Sequence, residues 1–105
     1  MAKTFNSTAI GLTTTEDDIY TASSKTMTLL VQAVNTTASS VNCELWITNG
    51  SNIHYACLFP SQAIPGYNGI SDTAKHIIPS GYKIRGLASV GSASIYVEVS
   101  VLEGL

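Results

Sequence analysis

The chain has 105 residues, a length that holds one domain and not two. Charged residues make up 11% of it, against a usual value of about 25%, and hydrophobic residues 45%. That balance excludes a disordered chain, which needs low hydrophobicity and high net charge. A formal charge of −2 with no basic stripe also disfavours nucleic-acid binding.

The polar surface must come from Ser, Thr and Asn, and a surface poor in Lys and Glu is what buried interfaces favour. A secreted β domain has a similar composition. No run approaches the ~20 apolar residues of a membrane span, and residues 1–12 carry no apolar run of signal-peptide length. The expectation is a product of the cytoplasm that neither enters a membrane nor leaves by the usual export route.

In chain order, residues 1–7 read as a flexible N-terminal arm and residues 8–105 as the folded body. Strands are expected over 9–13 and 18–22, separated by the acidic run Glu16-Asp17-Asp18. Three oxygen donors there offer a weak calcium site, but the spacing matches no calcium loop, and the competing reading is a charged turn. Thr26–Asn35 alternates, with Met27, Leu29, Val31 and Ala33 on one face. Leu30 and Val34 make its second face apolar as well. The strand is therefore central and covered on both sides, or turns one face to an interface.

Residues 35–40 form a polar loop, and Val41–Thr48 alternates again. Val41, Cys43, Leu45 and Ile47 point one way, and Asn42, Glu44, Trp46 and Thr48 the other. Asn49-Gly50 marks a hairpin into a strand over 52–59. A three-residue loop in that hairpin sets Cys43 opposite Cys57, and a two-residue loop separates them. Either way, two cysteines make no disulfide scaffold, and both are expected as buried free thiols. Residues 62–71, with Pro65-Gly66, Tyr67 and Asn68-Gly69, form the longest irregular stretch and read as a contact loop. A strand over 72–78, a tight Pro79-Ser80-Gly81 turn and a strand over 82–89 follow. The last strand, 93–102, sets Ala93, Ile95, Val97, Val99 and Val101 against Ser94, Tyr96, Glu98 and Ser100.

Eight short strands at this turn spacing predict an all-β, single antiparallel β-sandwich of jelly-roll or Ig-like type. Catalytic chemistry is not evident. His54 and His76 lack metal-ligand spacing, and there is no nucleophile elbow or phosphate loop. No catalytic residue, metal site or cofactor is expected. The telling residues are large apolar ones on outer faces or loops: Trp46, Tyr96, Leu30, Val34 and Tyr67, with Leu102 and Leu105 as a tail that docks. Trp46, Tyr55, Tyr67 and Tyr82 are the alternative raw material of an aromatic sugar-binding platform.

The order of several short motifs resembles small virion proteins of tailed phages, common among phages of cyanobacteria and other aquatic bacteria. The motifs are Ile19-Tyr20-Thr21-Ala22, the long apolar strand from Lys25 to Asn35, Pro79-Ser80-Gly81-Tyr82, and the closing strand from Val97 to Glu103. The acid that usually follows the P-x-G turn is Tyr82 here. The resemblance spans about residues 18–103 and implies a virion structural protein with no catalytic residues. It implies a capsid decoration (cement) protein, expected as a homotrimer on the major capsid protein. The alternative is a small neck, tail or baseplate subunit, or a receptor-binding sandwich.

Overall fold

The computed structural model describes residues 3–91 and 94–105, so Ala93 of the expected last strand lies outside the described residues. Nine strands follow in chain order: β1 (Thr4–Gly11), β2 (Asp17–Thr21), β3 (Thr26–Asn35), β4 (Val41–Thr48), β5 (His54–Ile64), β6 (Gly69–Asp72), β7 (Ile77–Ile78), β8 (Lys83–Ala88) and β9 (Ile95–Glu103). Every strand pairing is antiparallel. One sheet of five strands runs β1-β9-β3-β6, with β7 also on β3, and a second of four runs β2-β8-β4-β5.

The topology is that of one long hairpin rolled up. β1 pairs with β9, β2 with β8, β3 with both β6 and β7, and β4 with β5. β6 and β7 act as one interrupted strand, and successive pairs belong to alternate sheets. This is the jelly-roll version of the β-sandwich, not the Ig-like one, in which the first two strands are sheet neighbours.

The core lies where the inner faces meet. Val31, Ala33, Ile95, Val97, Val99 and Val101 from one sheet face Val41, Cys43, Leu45, Ile47, Ile64 and Ile84 from the other. Each fully buried side chain of Val or Leu size contributes on the order of 1.5–3 kcal/mol. The alternation in β4 and β9 places Val41, Cys43, Leu45, Ile47, Ile95, Val97, Val99 and Val101 in this core, as their sequence pattern predicts.

Several boundaries differ from the sequence-based expectation. β1 starts at Thr4, so residues 4–7 of the expected arm are laddered onto β9, opposite Ser100 to Glu103. The expected contact loop 62–71 is mostly sheet. Its first residues finish β5 and its last begin β6, leaving residues 65–68 as the turn. The β4–β5 loop spans residues 49–53, with Thr48 opposite His54. Asn49 organises it: its Oδ1 accepts the N–H groups of Ser51 (2.8 Å) and Ile53 (3.1 Å). Irregularities further along β4–β5 then place Trp46, not Cys43, opposite Cys57. Cys43 is buried as expected, but Cys57 is exposed. The turn before β8 closes through the Tyr82 N–H and the Pro79 carbonyl at 3.1 Å, with Gly81 at φ 86 where a side chain is disfavoured.

The most consequential difference is in β3. Its register against β9 shifts between Thr28 and Leu30, so Leu29 is an extra residue in the ladder. Because the side-chain period is two, the bulge reverses the parity of the strand's first half. Thr26 and Thr28 point inward and are fully buried, and Met27 moves to the outer face, away from Val31 and Ala33. The buried hydroxyls are satisfied. Thr26 Oγ1 donates to the Ser24 carbonyl at 2.8 Å, and Thr28 Oγ1 accepts the His76 N–H at 2.9 Å.

Candidate functional surface

The outer face of the five-stranded sheet is built by register. Residues directly opposite across antiparallel strands share a face. Phe5, Leu102, Met27 and Ile77 therefore form one row across β1, β9, β3 and β7. Ser7, Ser100 and Leu30 form the next, then Ala9, Glu98, Gln32 and Ser71, and finally Gly11, Tyr96, Val34 and Gly69. In the last row Tyr96 stands between Gly11 and Val34, and Gly11 has no side chain to crowd its ring.

Among the described residues on these strand positions, Glu98 is the sole charged side chain. Apolar groups remain in solvent: Phe5 is 64% exposed, Tyr96 48% and Ile77 46%. Leu30, Val34, Met27 and Leu102 are partly buried. A sheet face with one charge and an apolar row along one end has the charge-poor composition of an interface core.

The outer face of the other sheet is its opposite in character. Arg85 on β8 donates from Nε to Asp18 Oδ1 at 2.6 Å and from Nη1 to Glu16 Oε2 at 2.8 Å. Lys83 Nζ lies 3.4 Å from Asp18 Oδ2, and Glu16 Oε1 lies 2.7 Å from His54 Nε2. The Arg85 hydrogen bond, helped by Lys83 and opposed by partial burial, holds the Asp18 carboxyl below the usual Asp value. The acidic run offered as a weak cation site is thus engaged by basic side chains. Asp17 accepts instead from Thr13 Oγ1 at 2.8 Å. Among the described residues, no three His, Cys, Asp or Glu side chains converge for a metal ion.

The sequence-predicted interface residues separate into two groups. Tyr96, Leu30, Val34 and Leu102 come together on the charge-poor face of the five-stranded sheet. The others do not join them. Trp46 lies on the charged face, with its ring stacked on His54 at 4.1 Å. Tyr67 stands on the 65–68 turn, 74% exposed, at φ 56. Leu105 docks by its backbone on its own chain, its N–H donating to the Lys25 carbonyl at 3.1 Å. Of the aromatic platform residues, Tyr55 meets Tyr82 edge-on at 5.2 Å, while Trp46 is stacked on His54. A hollow of 130 Å³ beside β4, lined by Asn42, Glu44, Ser61, Leu87 and Ser89 among others, is too small for a drug-sized ligand.

Sequence reasoning missed Phe5, Met27 and Ile77. Phe5 fell in the expected arm, Met27 was given inward parity, and Ile77 is brought to the row by a two-residue strand. No family model matches the chain, no similar curated protein is found, and no solved structure matches it.

Proposed function

We propose that this protein is a structural subunit of a tailed-phage virion, a capsid decoration protein that lays the outer face of its five-stranded sheet on neighbouring protein of the shell. One observation carries the docking surface: among the described strand positions of that face only Glu98 is charged, while Phe5, Tyr96 and Ile77 stand in solvent. Desolvating such a face leaves one carboxylate to accommodate and removes much apolar area from water. The motif order from Ile19 to Glu103 supports the virion assignment. The jelly roll is compatible with it but also serves lectins, so the fold does not choose the role. Many modest contacts repeated around a shell act together, and their combined avidity resists outward pressure from the packaged genome.

The test compares phage particles assembled with and without the chain. Particles lacking it should release DNA at lower temperature and on dilution. Val34→Glu, beside Tyr96 in the last row of the face and distant in sequence from β1, should leave the protein folded but absent from purified particles. Equal heat stability of the two kinds of particle, or full occupancy by the Val34→Glu protein, would overturn the proposal.

A further inference from the structure

A sandwich of two open sheets exposes edge strands, and natural β proteins guard each one against pairing with foreign strands. Three of the four edges here are guarded. β2 is short, carries Asp17 and Asp18, and has an irregular register against β8. β5 contains Pro60, which has no N–H to offer a ladder, and its register against β4 shifts repeatedly. The edge beyond β3 is split between a four-residue and a two-residue strand.

β1 has none of these devices. It is eight residues long, TFNSTAIG, with no charge and no proline. Its register against β9 is regular from Thr4 to Gly11, and among the described residues β9 is its only sheet neighbour. Alternate N–H and C=O groups along this strand therefore point away from β9, on the side where no described strand pairs with it.

We propose that β1 pairs antiparallel with β1 of a second copy across a twofold axis, joining the two five-stranded sheets into one. The twofold must stand perpendicular to the sheet, so that outer-face residues oppose outer-face residues. With Ser7 on the axis, Phe5 lies opposite Ala9 of the second copy, and Ala9 opposite its Phe5. The small residue leaves space for the ring, and the exposed phenyl groups are covered twice over. On the inner side, Thr4 lies opposite Ile10 and Asn6 opposite Thr8. No pair in this register is charged, so the symmetry brings no like charges together. Self-complementarity selects a second copy as the occupant over a strand of other sequence. The inference does not depend on the virion assignment, since it concerns the free protein.

The experiment measures the mass of the full chain by light scattering behind a sizing column. The 11.1 kDa chain should elute at twice its mass. Ser7→Lys, which sets two ammonium groups face to face on the axis at an exposed position, should elute at the mass of one chain with an unchanged β-sheet circular dichroism spectrum. In a Cys57→Ser background, Ser7→Cys should cross-link to a dimer on mild oxidation, whereas Phe5→Cys should not. A wild-type monomer at every concentration, a trimer, a Ser7→Lys dimer, or failure of Ser7→Cys to cross-link would each overturn the proposal.

Discussion

The hydroxyl of Tyr20, on β2 of the four-stranded sheet, donates to Glu103 Oε2 at the end of β9 in the other sheet. Tyr20 is buried, and burial together with the Glu103 carboxylate pushes its phenol up to about 12. The folded state thus favours the neutral phenol. Its contribution is complete below the unfolded value of 10.0 and is lost as the pH rises toward about 12, because the unfolded chain then binds fewer protons than the native one. Tyr20→Phe should cost about 1.5–3 kcal/mol at neutral pH, as expected for a buried hydrogen bond to a charged group. Its urea midpoint should also fall less steeply than the wild type's between pH 10 and 12. Parallel curves across that window would show that Tyr20 does not carry the effect.

Asn35 is fully buried and ties three segments together. Its Nδ2 donates to the carbonyls of Ser39 (2.7 Å) and Ile64 (2.9 Å), and its Oδ1 accepts the N–H (2.9 Å) and hydroxyl (2.8 Å) of Thr37. Asn35→Ala removes all four bonds, leaves the Thr37 hydroxyl and the Ser39 carbonyl only each other at 3.0 Å, and should lower stability by about 2–4 kcal/mol. Asn35→Asp should be at least as damaging at neutral pH, because a carboxylate oxygen then confronts two carbonyls. Its deficit should shrink as acid protonates that group. Thermal melts across pH 4 to 8 check both statements, and a tolerated Asn35→Asp would show that the network can rearrange.

The thiols should differ sharply in reactivity. Cys43 is buried on the inner face, and desolvation pushes its thiol up to about 12. Cys57 is exposed on β5, with its thiol raised by partial burial and then by Glu44. A thiol reagent should titrate one group per native chain and two after unfolding. Labelling of both at equal rates in the native protein would place Cys43 nearer the surface than the fold does.

Much of this architecture was legible because it rests on local alternation. The limits of β3 and β4 follow from their apolar and polar periods, and so does the outward position of Tyr96, Leu30, Val34 and Leu102. What was hidden depends on distant partners. Met27, Leu29, Val31 and Ala33 read as one continuous inner face, and nothing in those residues marks Leu29 as a bulge. The bulge is fixed by the pairing of Thr28 with Val101 and Leu30 with Ser100, far along the chain. Phe5 sits in a polar stretch resembling a loose arm and becomes part of a surface only because Leu102 lies beside it. The same holds for Cys57, whose exposure depends on the irregular β4–β5 register rather than on its own neighbours.

Gly66 should be intolerant of any side chain for a steric reason. A Cβ there would lie 2.1 Å from the Ala38 carbonyl oxygen, a backbone atom that cannot swing aside. Gly81 differs: a Cβ meets nothing within 4 Å, and the obstacle is its φ of +86. Gly81→Ala should therefore cost about 1–2 kcal/mol, the left-handed penalty for an L-residue. Gly66→Ala should cost more, since the 35–40 and 65–68 segments must part. Equal denaturant midpoints for the two variants would mean that these segments separate easily.

Arg85 offers the last test, because one side chain holds two carboxylates and a backbone carbonyl. Besides its bonds to Asp18 and Glu16, its Nη2 donates to the Glu16 carbonyl at 3.0 Å. Its side chain is 14% exposed, whereas that of Asp18 is 48% exposed and correspondingly screened by solvent. Asp18, held below its ordinary 3.8, favours the folded state above that value, and the contribution fades as the pH falls through the lowered folded value. Arg85→Lys keeps the charge but loses the planar fork that reaches both partners. It should be less stable than the wild type at pH 7 by about 1–3 kcal/mol, the cost of leaving a partly buried group without its hydrogen bond. Its stability should also fall less steeply below pH 4, because the main cause of the Asp18 shift is gone. A variant with the wild-type acid slope would assign the Asp18 shift to Lys83 instead, which a parallel Lys83→Met titration resolves.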